Sequence, residues 1–134
     1  MTKENFIMVT YIAFILSLIA LADTGGLSAV YFLIKEVPLA DKVGHFILMG
    51  ILALVVNTNL KYRTISMGNI NILLGSAIVF CFVSLEELSQ YGNTHRTFDW
   101  YDLAADLLGI ILIPWLAKKY FSLNSTGGSA LAEK

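Results

Sequence analysis

The chain has 134 residues, 57% of them hydrophobic, with a formal net charge of -1 and a mean hydropathy of +0.71. That length implies one domain, and the hydropathy is too high for an ordinary water-soluble one. The near-neutral charge, without a basic patch, argues against a nucleic-acid partner. Cys81 is the single cysteine. It cannot form an internal disulfide and reads as a packing residue in an apolar run.

A transmembrane helix needs roughly 20 apolar residues to cross a hydrocarbon core of about 30 Å. Four stretches qualify, at about 6–22, 43–60, 70–88 and 102–121. They are continuous rather than alternating, as expected of helices that close their own backbone hydrogen bonds and not of barrel strands. The expected fold is therefore all-α, a membrane-embedded bundle of four transmembrane helices forming one domain over 1–121. The first run ends in Ala20-Leu21-Ala22, the form of a signal-peptidase site. Its apolar stretch exceeds a usual signal core, so an uncleaved first helix is expected.

Between the first two runs lie Gly25-Gly26 and the stretch LSAVYFLIKEVPLA. Tyr31, Phe32, Leu33 and Ile34 suit either an interfacial segment ended by Pro38 or a loop packed over the bundle. Gly50, Gly75 and Gly109, with Ser76 and Ala77, supply small residues for close helix packing. Pro114 is expected to kink the last helix. Residues 122–134, small and polar, read as a disordered tail.

Orientation follows from the basic residues. With the N-terminus inside, the cytoplasmic side collects Lys3, Lys61, Arg63, Lys118, Lys119 and Lys134, and the other side Lys35, Lys42 and Arg96. Both termini are thus expected in the cytoplasm.

Polar residues interrupt the runs at regular spacing. Asp41 and His45, Glu86 and Gln90, and Asp102 and Asp106 are each four apart, so each pair shares a helix face. Alternating chain direction brings all three pairs to the same outer boundary, with Glu87 beside one of them and Arg96 in the adjoining turn. Avoiding lipid requires the pairs to turn inward, and one outward-facing polar pocket is expected. Asp41 and Asp102 are also explicable as first-turn acids stabilised by the helix dipole. Asp106 lies a turn deeper and is the most costly of the set.

These residue types suit acid–base chemistry or anion recognition more than covalent catalysis. His45 with a carboxylate is a candidate base, Asp102 a second catalytic candidate, and Arg96 a clamp for phosphate or carboxylate. Ser89 and Thr97 lack an evident activating base, and His95 reads as a solvated loop residue. No HxxxH, HExxH or cysteine pair is present, so neither a metal nor another cofactor is expected. Tyr91, Phe98, Trp100 and Tyr101 read as an interfacial aromatic belt.

DKVGHF at 41–46, EELSQ at 86–90, Arg96-Thr97, Asp102, Asp106 and Gly109 occur at intervals that resemble the VanZ-like family of small bacterial membrane proteins. Asp41, Lys42, His45, Glu86, Glu87, Gln90, Arg96, Asp102 and Gly109 fit the pattern, which spans the last three helices. Asp106 stands where the family has Asn, Thr94-His95 where Pro-Gly is common, and Met49 where an aromatic is usual. The resemblance implies a cell-envelope role in the bacterial plasma membrane, possible glycopeptide (teicoplanin) resistance included. The ligand it implies is an outer-leaflet lipid headgroup or a lipid-linked envelope precursor. A non-catalytic subunit binding a partner membrane protein, and a small transporter, are the alternatives.

Overall fold

The computed structural model describes residues 2–91 and 98–129. The chain runs α1 (Lys3–Asp23), α2 (Ser28–Lys35), α3 (Ala40–Asn59), β1 (Thr64–Met67), β2 (Ile70–Leu73), α4 (Leu74–Ser89) and α5 (Trp100–Ser129). Among the described residues, three helices are long and apolar enough to cross a membrane: α1, α3 and the Trp100–Ser122 part of α5. Their outward faces carry Phe6, Val9, Phe14, Leu112 and Trp115 exposed. Such a surface is stable against lipid and not against water.

Several expectations change. The fold is not purely helical, because 64–73 forms an antiparallel hairpin with Met67 paired to Ile70 and Thr64 to Leu73. Gly68 has φ +61°, the left-handed conformation that a two-residue hairpin loop with Gly first demands. Residues 70–73 are therefore a strand, and the third apolar run begins its helix only at Leu74. With 16 residues, α4 is about 24 Å long at 1.5 Å per residue, short of a hydrocarbon core of about 30 Å. At the other end of the chain α5 continues to Ser129, into the segment read as a tail. Once a helix is established, each further residue adds a bond without a new nucleus.

The core is small and central: Ile15 of α1, Met49, Leu52 and Ala53 of α3, Val79 and Val83 of α4, and Ile110 of α5. Helices α3 and α5 form the most extensive contact, and glycine permits it. A Cβ on Gly109 would collide with the Phe46 carbonyl, and one on Gly50 would lie 2.8 Å from the Gly109 carbonyl oxygen. Gly75 does the same for α4, where a Cβ would strike the Asn57 side chain. Cys81, expected to pack inside, is exposed on α4. It lies two residues from buried Val79 and two from buried Val83, and that spacing turns it to the outer face of a helix.

Pro114 lies buried within α5. Lacking an N–H, it cannot bond the carbonyl four residues earlier, that of Ile110. Ser76 of α4 donates to that carbonyl at 3.0 Å and accepts from Asn57 Nδ2 of α3 at 2.9 Å. Three helices are thus tied together by the bond that proline leaves open. Ser76→Ala should cost about 1 to 2 kcal/mol, the range for stranding a buried carbonyl and losing an interhelical bond. In a Pro114→Ala background, where residue 114 again donates to Ile110, the same change should cost less than half as much. A double-mutant cycle of unfolding free energies checks this, and equal costs in both backgrounds would refute the link.

Candidate functional site

The first turn of α3 and the start of α5 meet at one end of the bundle, and α4 ends beside them. Lys42 of α3 holds the meeting point. Its Nζ donates to Asp99 Oδ2 at 2.7 Å, to Asp41 Oδ2 at 3.2 Å, and to Asp102 Oδ1 in a shorter contact. Asp99 in turn caps α5: its Oδ1 accepts from the Tyr101 backbone N–H at 2.8 Å, and its carbonyl accepts from Asp102 N–H at 3.1 Å. This is how an aspartate just before a helix satisfies amides that have no partner in the first turn.

One turn deeper, His45 Nδ1 lies 3.1 and 3.3 Å from the two carboxylate oxygens of Asp106, which is almost fully buried. The other ring nitrogen, Nε2, lies 4.0 Å from Asp102 Oδ2. Asp106 therefore fixes the ring and accepts the Nδ1 proton, leaving Nε2 directed towards Asp102. The i, i+4 spacing on both helices creates this ladder. Asp41 and His45 share one face of α3, Asp102 and Asp106 one face of α5, and the two faces oppose each other.

The end of α4 joins through Glu87. Its Oε1 accepts the Asp99 backbone N–H at 2.8 Å, and its Oε2 accepts from Gln90 Nε2 at 3.2 Å. Gln90 also donates to both oxygens of Glu86, at 3.1 and 3.2 Å. Glu87 and Gln90 are buried. The path from Glu86 through Gln90, Glu87, Asp99, Lys42 and Asp102 to His45 and Asp106 is thus one network drawn from three helices.

Of the residues expected at the site, Asp41, His45, Glu86, Glu87, Gln90, Asp102 and Asp106 belong to this network. Arg96 lies outside the described residues, as does His95, which the sequence reads as a solvated loop residue. The network also uses Lys42 and Asp99, which were not among the expected site residues. Lys42 adjoins Asp41, and the local excess of carboxylates signalled the need for a cation. Asp99 was detectable as the cap of the helix beginning at Trp100.

Among the described residues, Asp41, Asp99 and Asp102 are turned towards Lys42 and Asp106 towards His45, while Glu86 and Glu87 pair with Gln90. The neighbouring cavity of about 210 Å³ lies between α1, α2 and α3. Its walls are mainly apolar, including Leu18, Ile19, Ile34 and Leu48, while Asp41 and His45 bring polar atoms to it. Asp41, His45 and Asp102 each offer a ligand atom within 4.8 Å of the others, a set able to hold a divalent cation. Lys42 already supplies an ammonium to two of the three. Tyr91, Trp100 and Tyr101 are strongly exposed at this end, consistent with an interfacial belt.

The Lys42 ammonium bonded to Asp99, helped by the Tyr101 amide, holds the Asp99 carboxyl below its ordinary range. Because the folded value is the lower one, this contact stabilises the fold above the ordinary aspartate value of about 4. The contribution is lost as pH falls through the lowered value. Asp99→Asn keeps a capping oxygen and removes the charge, so it should lower the thermal midpoint at neutral pH. The gap from wild type should close as the pH is taken down through that lowered value. Thermal unfolding across that range checks it, and a gap independent of pH would mean that the ion pair contributes nothing.

No protein-family model, curated protein or solved structure matches the chain.

Proposed function

We propose that the chain is a multi-pass protein of the bacterial plasma membrane whose polar cluster binds an outer-leaflet lipid headgroup or a lipid-linked envelope precursor. In this reading α4 is a fourth crossing, its short length taken up by local bilayer thinning. Both termini are then cytoplasmic and the cluster faces outward, following the distribution of Lys and Arg.

One observation carries the proposal. His45, Asp102 and Asp106 sit inside helices long and apolar enough to span a membrane, and His45, with Asp41, lines a largely apolar cavity. An ionisable side chain at a helix centre costs about 2.5 to 3.5 kcal/mol on insertion scales, less near the end, and such residues usually serve a ligand or pathway. An apolar cavity with charged groups at its wall suits an amphipathic ligand, and a lipid is the amphipathic molecule that a membrane protein always meets.

The tethered cation favours recognition over chemistry. Lys42 engages Asp41, Asp99 and Asp102, which leaves His45, fixed by Asp106, as the residue best suited to exchange a proton. A non-catalytic role in holding a partner membrane protein draws support from the same internal pairing. A transporter has less, since farther along the bundle the Asn57 Nδ2 and Ser76 hydroxyl, among the described residues, are engaged in tying helices together.

The resemblance to the VanZ-like family gives the reading a phenotype. Expressed in a teicoplanin-sensitive host, the wild-type protein should raise the inhibitory concentration. His45→Ala and Asp102→Asn, at membrane levels matched by blotting, should abolish the rise. Variants that protect as well as wild type would make the cluster purely structural. A wild type without effect would remove glycopeptide resistance from the proposal.

A further inference from the structure

Gly44 lies within the second turn of α3. A glycine there costs about 0.8 to 1 kcal/mol relative to alanine and needs a reason. Gly50 of the same helix has one, since the Gly109 backbone presses against it. Gly44 has none among the described residues: a Cβ built on it meets nothing of theirs within 4 Å. It faces instead into the cavity of about 210 Å³ between α1, α2 and α3.

The cavity is shaped at both ends by its surroundings. Most of its wall is hydrocarbon, from Leu18 and Ile19 of α1, Ile34 of α2 and Leu48 of α3. Water gains little there. At one end Asp41 and His45 reach the wall, and the Asp41 side chain is 43% exposed. Around that end the described ionisable groups are acidic in excess: Asp41, Glu86, Glu87, Asp99, Asp102 and Asp106 against Lys42 and His45. Val30, Phe32 and Leu33 of α2 are exposed and apolar, as suits a helix lying at the headgroup boundary.

We infer that this cavity holds part of the acyl chain of a membrane lipid, with Gly44 leaving the space for it, and that Asp41 receives the lipid's amine-bearing headgroup. The inference rests on the proposed lipid-binding function and names the lipid: one with a cationic amine, since the excess of carboxylates repels a headgroup of purely negative charge.

The test uses the full chain in nanodiscs doped with phosphatidylethanolamine or phosphatidylglycerol carrying a photoactivatable group in one acyl chain. Adducts after illumination are mapped by peptide mass spectrometry. Wild type should concentrate adducts on Leu18, Ile19 and Leu48, several-fold more with the ethanolamine lipid than with the glycerol lipid. Gly44→Leu starts from a Cβ position that meets no described atom within 4 Å, extends into the cavity and should reduce these adducts about tenfold. Gly44→Ala, adding one methyl group, should reduce them less, and adducts on the outward-facing Leu112 and Trp115 should not change. Asp41→Asn should remove the preference between headgroups.

Equal wall adducts in wild type and Gly44→Leu, or labelling that simply follows exposure, would overturn the inference and leave bulk annular lipid only. Wall adducts without headgroup preference would overturn the part assigned to Asp41. If Gly44→Leu keeps both its adducts and the envelope phenotype while His45→Ala loses the phenotype, the cavity fails and the polar site stands. If His45→Ala and Asp102→Asn keep the phenotype, the site reading fails whatever the adducts show.

Discussion

One ammonium sets the architecture at the charged end of the bundle. Lys42 stands at the start of α3 and reaches across to the acids that open α5, and it also contacts Asp41 beside it. Carboxylates brought this close repel one another strongly in a medium of reduced dielectric. A counter-charge fixed to the backbone removes that repulsion without the entropy of capturing a free ion. Asp41, His45 and Asp102 have the spacing of a cation's ligand set, and Lys42 occupies the cation's role. Removing it would leave several carboxylates facing each other, at a cost set by the charges left behind rather than by the bond lost.

The middle of the bundle is joined by different means. There the tie is neutral, running from Asn57 through Ser76 to the carbonyl that Pro114 leaves unbonded. Neutral interhelical hydrogen bonds in membranes contribute modestly, so most of the adhesion comes from the close approach that Gly50, Gly75 and Gly109 allow. Glycine contact and the Ser76 bond fix how the helices cross. The charged end then inherits that geometry: with α3 and α5 in close contact at Phe46 and Gly109, His45 and Asp106 are brought opposite each other.

Much of this was readable in the sequence, because its causes are local. Continuous apolar runs announce spanning helices, and paired residues four apart announce a shared face. The short reach of α4 was harder to see, since Ile70, Ile72 and Leu73 are as apolar as the helix they precede. The signal lay in Gly68-Asn69, a two-residue hairpin loop between β-prone stretches. The exposure of Cys81 was hidden for a related reason: in a membrane helix the outward face is as apolar as the inward one, so hydropathy does not tell them apart. The partition of charge, with Lys42 engaging three acids at once, required the three-dimensional crossing of α3 and α5.

The cavity follows from how unevenly the helices are packed. Helix α1 leans mainly on α3, through the Tyr11 hydroxyl, which donates to the Leu48 carbonyl at 3.1 Å, and through Asn59, which reaches the Glu4 carbonyl at 3.3 Å. Both contacts hold the length of α1 against α3 below the charged end. Above them α1 and the short α2 part from α3 near Gly44, and the gap is closed by neither α4 nor α5. Elements with little burial against their neighbours open at the lowest free energy. The cavity that results has α1 and α2 on one side and Gly44, Asp41 and His45 of α3 on the other.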